Sequence, residues 1–408
     1  MKNVMVIVPF ENIYPPMNGG MHRCINILNQ LCKYFSLTVI IHQEEKSFLR
    51  AIDEYPELVN CRVISTKSFK RSFDLFSIAP KKLRNALRHR YWNRSVKGKT
   101  GGDFLSIYPL LKSELIKQQF DCFILEDLSI LNLAKVIRRH QPQARIIYDA
   151  YNINTKLAEA TLKKGKSEKE SYIEMKMAES KLSLFVTEIF TCSNEDLNEL
   201  IEMNDKKISG TVIPNGVKID LKFLKNREET SATDNNIIFC GSMDYFPNQE
   251  GLIWFCKEVF PLMLKENPQI KLLVVGRGDP GDELNNLLKH DSIIFFGMVD
   301  EVNDYYKKAA VAIVPLLSGS GTRLKLLEAM GCNTAVVSTI AGAEGINYTD
   351  KKNILIADDN ISFANAVIGL LNDRSLAASI ASAAFSFVKE NYDWNIVGKK
   401  LNLWLNKN

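Results

Sequence analysis

Residues 310–346, AVAIVPLLSGSGTRLKLLEAMGCNTAVVSTIAGAEGI, leave the chain few folds to choose from. Ala310 to Val314 is a short apolar run that stops at Pro315, the pattern of a strand buried on both faces. A glycine-serine loop follows, Ser318 to Gly321. A helix then starts near Thr322, with Leu324, Leu327 and Met330 spaced to face a sheet. Ala335 to Val337 reads as the next strand and Gly342–Gly345 as the next loop. A glycine loop between a strand and a helix N-terminus presents bare backbone N–H groups, and the helix dipole adds partial positive charge, so the turn suits a phosphate. Arg323 and Lys325 bring full charges to that turn, with Ser320, Gly321 and Thr322 supplying the loop. Glu328 is an acid on a helix that otherwise attracts anions. A carboxylate there is suited to accept hydrogen bonds from the two hydroxyls of a ribose. The other reading is an ordinary βαβ crossover with a solvated glutamate.

The same alternation fills the chain. Strands are predicted at Val4–Pro9, Leu37–His42, Cys61–Ile64, Cys122–Glu126, Arg145–Asp149 and Glu188–Cys192. Helices are predicted near Gly20–Tyr34, Phe104–Gln119, Ser129–His140 and Lys166–Phe185. A second series of strands follows at Ile237–Cys240, Lys271–Val275, Ile293–Phe296, Val311–Val314 and Ala335–Val337. Strands separated by helices imply parallel sheets covered on both faces. The polar, aperiodic stretch Lys218 to Asn236 divides the two series. At 408 residues the chain is long enough for two domains, and 46% apolar with 24% charged residues is ordinary globular composition. Two doubly wound domains place ligands at the carboxyl ends of their strands.

No apolar stretch reaches the length of a membrane span. The chain runs from Met1-Lys2-Asn3 straight into a strand, so no signal peptide is expected. The eight cysteines are scattered with no C-x-x-C; Cys24, Cys122, Cys240, Cys256 and Cys332 sit inside apolar patterns as small core residues of a reducing compartment. A cytoplasmic protein is expected, or one peripheral on the inner face of a membrane. Charge is uneven: 32 Lys+Arg face 24 Asp+Glu in residues 1–217, against 20 and 23 in residues 218–408. Most of the excess lies between Lys67 and Lys99, where aromatic residues are interleaved with basic ones and Asp74 is the acid. That stretch suits an anionic surface, and equally a solvated helical insert.

The segment 310–346 resembles the retaining glycosyltransferases of the GT-B fold, in particular the family 4 group and its subgroup with GSGTRLK followed by LEA. VMVIVPFENIYPPMNGGMHR is similar to that family's first strand and Gly-Gly loop, TCSNEDLNEL and VIPNGVKID to the end of its N-terminal domain and hinge. IIFCGSMDYFPNQEGLIWF is similar to the start of its C-terminal domain and YDWNIVGKKLNLWL to its closing helix. The resemblance implies two Rossmann-like domains facing a central cleft: residues 1–217 on the acceptor side with a basic insert at about 66–104, residues 218–390 for the nucleotide-sugar, and a closing helix, 391–408, packing back on the first domain.

The resemblance also implies site residues. Gly19, Gly20 and Arg23 belong to the loop that approaches the donor; a plain turn is the alternative. Glu126 stands where the family commonly has a histidine; it is a hydrogen-bonding group for sugar or acceptor, or else a charge before the Ser129 helix. Asp149 and Asn152 match part of a D-x-H-N-x-E pattern, with Tyr151 and Asn154 in place of its His and Glu. Asn215 lies at the hinge. Ser242 and Asn248 stand where many members carry an Arg and a Lys that clamp the diphosphate, and Gly241 beside them is a further substrate-binding position. Arg277, Gly297 and Met298 fall at strand ends near the nucleotide. The first of two glutamates common eight positions apart is Ser320 here, and the second is Glu328. Arg323, Lys325 and Glu126 are the expected catalytic groups.

The expected activity is metal-independent transfer of a sugar, with retention, from a UDP- or GDP-linked nucleotide-sugar to a glycan or lipid-linked acceptor hydroxyl, in surface glycan or polysaccharide biosynthesis. No cofactor and no nucleic acid are implied. A non-catalytic nucleotide-binding partner of an active transferase and, less in keeping with the motifs, a nucleotide-sugar epimerase are the alternatives. The basic insert generates a prediction of its own. Each Lys or Arg near an anionic surface adds about 1 kcal/mol, screened by salt. Reversing Lys81, Lys82, Arg84 and Arg88 to Glu is expected to abolish flotation with anionic vesicles at low salt while leaving nucleotide affinity unchanged.

Overall fold

The computed structural model describes residues 1–10, 12–67, 102–163, 169–219, 235–318, 321 and 323–407. The basic insert and the candidate residues Ser320 and Thr322 lie outside them. Contacts divide the chain into two units, Met1–Pro214 with Gly398–Asn408, and Asn215–Val397.

The first unit is built on seven parallel strands: β1 (Asn3–Val8), β2 (Ser36–Ile41), β3 (Arg62–Ser65), β4 (Cys122–Leu125), β5 (Arg145–Ala150), β6 (Glu188–Thr191) and β7 (Ser209–Val212). Their order is β3-β2-β1-β4-β5-β6-β7. The second unit has six: β8 (Asn236–Cys240), β9 (Lys271–Val275), β10 (Ile293–Gly297), β11 (Val311–Val314), β12 (Ala335–Ser338) and β13 (Leu355–Ile356), in the order β10-β9-β8-β11-β12-β13. All pairs are parallel, so every connection crosses a face and the central strands are buried on both sides. That is why β1, β4 and β11 read as continuous apolar runs. The chain direction reverses between β1 and β4 in one sheet and between β8 and β11 in the other. Those are the switch points at which doubly wound sheets open a crevice.

Two strands were not expected. β7 is SGTV, an edge strand whose Gly210 is needed because a Cβ there would lie 2.3 Å from the Ile189 carbonyl oxygen. β13 has two residues. The helix predicted over Lys166–Phe185 is shorter, Lys169–Glu179, with a separate turn at Leu182–Leu184, and a further helix spans Asn154–Lys163. The cap of that further helix is tertiary: the buried Glu179 carboxylate accepts from the Asn154 and Thr155 backbone N–H groups at 2.7 and 3.0 Å. The helix expected from Ser129 starts at Leu133, because Asp127 caps a separate turn, Leu128–Ile130, by accepting from the Ser129 N–H at 2.8 Å.

The first unit ends at Pro214 rather than at residue 217. Gly216 and Val217 belong to the second unit, where Val217 N–H donates to the Tyr392 carbonyl at 2.8 Å and a Cβ on Gly216 would lie 2.6 Å from the Trp394 indole. The last helix, Trp394–Asn406, contributes to the second unit up to Val397 and to the first from Gly398. In the first unit Trp404 Nε1 donates to Glu188 at 2.9 Å and Lys2 Nζ to the Leu405 carbonyl at 2.8 Å. All eight cysteines are free, and all but Cys61 are buried. Among the described residues no helix is long and apolar enough to cross a membrane.

Arg23 and Asp149 form the polar centre of the first unit, both side chains 0% exposed. Arg23 leaves the helix Gly19–Tyr34 and donates from Nε to Asp149 at 2.9 Å, from Nη2 to Asp149 at 2.6 Å and from Nη1 to the Ile213 carbonyl at 2.7 Å. Burial by itself lowers the guanidinium pKa; Asp149 more than reverses that, and the group stays charged. Removing one partner strands a buried charge, which typically costs about 3–5 kcal/mol, whereas replacing both with apolar groups is often neutral. Asp149→Ala is therefore expected to lower unfolding stability in urea by that amount, and Arg23→Met with Asp149→Leu to cost clearly less than Asp149→Ala alone.

Candidate active site

The second unit builds its site on the loops after β8, β9, β11 and β12. The loop after β8 is pressed against the loop after β9. A Cβ on Gly276 would lie 1.8 Å from the Gly241 carbonyl oxygen, and one on Gly278 (φ +100°) 2.3 Å from the Asp244 carboxylate. Asp244 accepts from the Asp279 N–H at 2.9 Å, and the Met243 N–H donates to the Arg277 carbonyl at 2.6 Å. The helix Phe246–Trp254 then packs closely on the end of β11: a Cβ on Gly251 would lie 2.4 Å from the Pro315 carbonyl oxygen. In the loop after β11, Ser318 donates to Glu250 at 2.6 Å. Gly321 adopts φ +77°, a left-handed turn that favours glycine, immediately before the helix Leu324–Gly331.

Lys325 is the residue around which this arrangement closes. Its ammonium donates to the side-chain oxygen of Asn248, whose amide in turn donates to the Ser242 carbonyl at 2.7 Å. The ammonium lies 4.6 Å from the centre of the buried Phe239 ring and 2.7 Å from where a Cβ on Gly241 would stand. A side chain at 241 would have to displace the ammonium and the Asn248 amide. The lysine side chain as a whole is partly open, but the ammonium is its enclosed end. Burial first, and the charge of Arg323 second, lower its pKa to about 7. Glu328, one turn on, is partly buried, and its carboxyl pKa is raised by burial against a smaller opposing effect of Lys325. Among the described residues the Glu328 carboxylate has no hydrogen-bond partner.

Arg323, two residues before Lys325, contacts the loop after β12. It is 6% exposed, donates from Nε and Nη2 to the Ala341 carbonyl at 3.3 Å each, and reaches Glu344 at 3.4 Å. Gly297 has φ +67° with open space around it, and Met298 beside it is 71% exposed. Arg277 is partly buried after β9. The structure thus joins Gly241, Ser242, Asn248 and Lys325 directly, with Glu328 on the next turn. The expected substitution at Asn248 acquires a physical meaning: the position carries no cation of its own, and Lys325 brings one to it. Tyr245 and Glu344, which pack on Arg323, were not singled out as site residues. Glu344 lies in the GAEGI stretch; Tyr245 has no sequence signal.

In the first unit the expected residues gather at the β1/β4 switch point. Gly19 and Gly20 open their helix behind Asn18, which accepts from the Met21 N–H at 2.9 Å, and a Cβ on Gly20 would lie 3.2 Å from the Tyr151 ring. Tyr151 donates to Asp127 at 3.3 Å. Arg23 faces the interior, as described above, and holds Asp149 rather than the surface. Glu126, directly after β4, is 0% exposed, with the Cys24 thiol beside its carboxyl group. Burial first, and the neighbouring Asp149 second, raise its pKa well above the usual carboxylate range, which favours the neutral form. Asn152 has a buried, unpartnered side-chain oxygen. Asn215 is buried at the start of the second unit.

Residues 234–373 match the family described as Glycosyl transferases group 1. The match lies within the second unit. A 44.6 kDa protein of the cps region of Klebsiella pneumoniae is 32% identical over 46% of this chain and 50% of its own length. A phosphatidyl-myo-inositol mannosyltransferase of Mycolicibacterium smegmatis is 30% identical over 46% of this chain and 50% of its own. The chain spans about half the length of these curated relatives. The crystal structure of Anabaena HepE in complex with UDP and glucose superposes with a TM-score of 0.69, covering 100% of both chains at 14% identity. The two parallel-sheet α/β units therefore have the fold of GT-B glycosyltransferase structures.

The lowered Lys325 pKa has a consequence for anion binding. A diphosphate favours the charged ammonium, so binding takes up a proton wherever the free lysine has lost one. Affinity for a nucleoside diphosphate is therefore expected to be full below pH 7 as far as Lys325 is concerned, and to fall by up to about tenfold per pH unit above it. Calorimetry between pH 6 and 9 in buffers of different ionisation enthalpy should register that proton uptake in the wild type and not in Lys325→Met.

Proposed function

We propose that the chain is a retaining glycosyltransferase that moves a sugar from a UDP- or GDP-linked nucleotide-sugar to an acceptor hydroxyl in surface glycan or polysaccharide biosynthesis. The observation that carries this reading is the unpartnered Glu328 carboxylate one turn beyond an enclosed ammonium. Lys325 suits a diphosphate, Glu328 suits a pair of sugar hydroxyls, and the helix Leu324–Gly331 carries both. HepE, crystallised with UDP and glucose, and the mannosyltransferase relative support the nucleotide, the sugar and a lipid-linked acceptor as ligand classes.

In this reading the negative charge that develops on the leaving diphosphate meets the Lys325 ammonium and the N-terminal N–H groups of the helix Leu324–Gly331. These groups are fixed before the reaction, so little reorganisation is needed as charge builds up. The acceptor hydroxyl attacks on the face carrying the leaving group, and a diphosphate oxygen takes its proton. No protein carboxylate acts as nucleophile, and Glu126, neutral and enclosed, donates a hydrogen bond if the first unit opens to admit a sugar.

The test is a transfer assay with UDP- and GDP-sugars and lipid-linked acceptors in excess EDTA, where the wild type is expected to turn over. Glu328→Ala is expected to weaken binding of the matching nucleoside diphosphate at least about tenfold, since hydrogen bonds to a charged group contribute about 1.5–3 kcal/mol in difference measurements. Calorimetry on the folded variant checks it; unchanged affinity removes Glu328 from the site, and turnover that requires added Mg²⁺ or Mn²⁺ removes the metal-free reading.

A further inference from the structure

Among the described residues the two sheets end on β3, β7, β10 and β13. Three of these edges are poor templates for another strand. β3 opens on Arg62, which is drawn to Glu114 at 2.6 Å; β7, SGTV, has one large apolar residue; β13 has two residues in all. β10 is different. Residues 292–299, SIIFFGMV, carry no charge, and Ile294, Phe295 and Phe296 are 42%, 36% and 37% exposed. With the exposed Met298 beyond them they present apolar area on the order of a few hundred Å², the size at which a surface patch marks an interaction site.

The backbone of β10 is open at the same place. Leu272 of β9 stands opposite Ile293, and its N–H donates to the Ser292 carbonyl at 2.9 Å, so Ser292 and Ile294 turn their backbone groups towards β9. Successive residues of a strand turn to opposite sides. Phe295 therefore presents both its N–H and its C=O to the side on which no strand lies among the described residues. The Ile293 N–H, which faces that side too, donates to the His290 carbonyl at 2.8 Å. Beyond Phe295 the register shifts, and the Gly297 carbonyl accepts from the Gly276 N–H of the β9 loop at 2.9 Å. The open stretch is thus short and centred on Phe295.

We propose that this edge is a homodimer interface, at which β10 of a second copy of the chain pairs antiparallel about a two-fold axis at Phe295. Opposed residues of an antiparallel pair can exchange both backbone hydrogen bonds. The axis sets Phe295 against its own copy, so the residue that offers both groups meets one that needs both. It also lays Ile294 of each copy alongside Phe296 of the other, and aromatic and β-branched neighbours stabilise antiparallel pairs. A different partner would have to bring an uncharged apolar strand of its own; a second copy brings one by symmetry. A standard interface buries about 800 Å² per partner and one short strand edge supplies less, so the dimer should be reversible, dissociating at micromolar concentrations.

Sedimentation velocity over about 1–200 µM protein is expected to show monomer passing to dimer. Phe295→Lys puts a charge on the edge and should keep the chain monomeric over that range with an unchanged circular dichroism spectrum; Ile294→Lys serves if Phe295→Lys does not fold. In a Cys61→Ser background, Phe295→Cys should give a disulfide-linked dimer on mild oxidation. The Cα atoms of a hydrogen-bonded antiparallel pair lie about 5.5 Å apart, within the roughly 4.4–6.8 Å that a disulfide spans. Ile294→Cys, which the axis does not set against itself, should not cross-link. A wild type that stays monomeric throughout overturns the proposal, whether the edge is bare or taken by another partner. A dimer that survives Phe295→Lys, or that cross-links through Ile294→Cys in place of Phe295→Cys, overturns it too.

Discussion

At the end of β8 the Lys325 ammonium and the Asn248 amide occupy the space that a side chain at position 241 would fill, and Gly241 leaves that space open. Much of the second unit's site is arranged around this contact. With no Cβ at 241, the lysine reaches the Asn248 side chain and lies against Phe239. Asn248 in turn fixes the carbonyl of Ser242, so the loop after β8 cannot move without disturbing the lysine. Gly276 does for the loop after β9 what Gly241 does for the lysine, letting one backbone touch another. The result is a fixed cation surrounded by loops that have little room to relax, the arrangement by which electrostatic stabilisation of a leaving anion becomes effective.

The two units use their switch points in opposite ways. At β8/β11 Lys325 and Glu328 remain partly open, and among the described residues the Glu328 carboxylate has no hydrogen-bond partner. At β1/β4 the charged groups are consumed internally. Arg23 is spent on Asp149 and on the Ile213 carbonyl, one residue short of the end of the unit, and Glu126 is enclosed where burial favours its neutral form. The Arg23–Asp149 pair ties the helix Gly19–Tyr34 to β5 and to the segment leaving β7. Its worth lies in fixing those three elements in one register, since a buried ion pair is weak evidence for net stability.

Much of this was legible in the sequence. Apolar runs three to five residues long mark β1, β2, β4, β5, β8, β9, β11 and β12, because strands covered on both faces need mostly apolar residues. The glycine-serine loop and the acid and bases after it mark the candidate turn, because side chains are small or absent there. β7 was not legible because this edge strand, SGTV, has no apolar run, and β13 because it is only two residues long. The helix at Asn154 was missed because its cap, Glu179, is remote in sequence.

The sequence by itself determined the parallel α/β architecture, the division into two series of strands, and the place of the glycine loop before Glu328. These depend on local periodicity and on the conformational freedom of single residues. Only the tertiary structure decided which partner each charged residue takes. Arg323 and Lys325 are two positions apart and read alike in the sequence, yet one is bound to Ala341 and Glu344 and the other to Asn248. Arg23 likewise follows a glycine loop suited to a ligand and turns inward to Asp149. The physical reason is that the direction of a long charged side chain is set by where its counter-charge lies, and that partner arrives from another loop or strand only when the chain has folded.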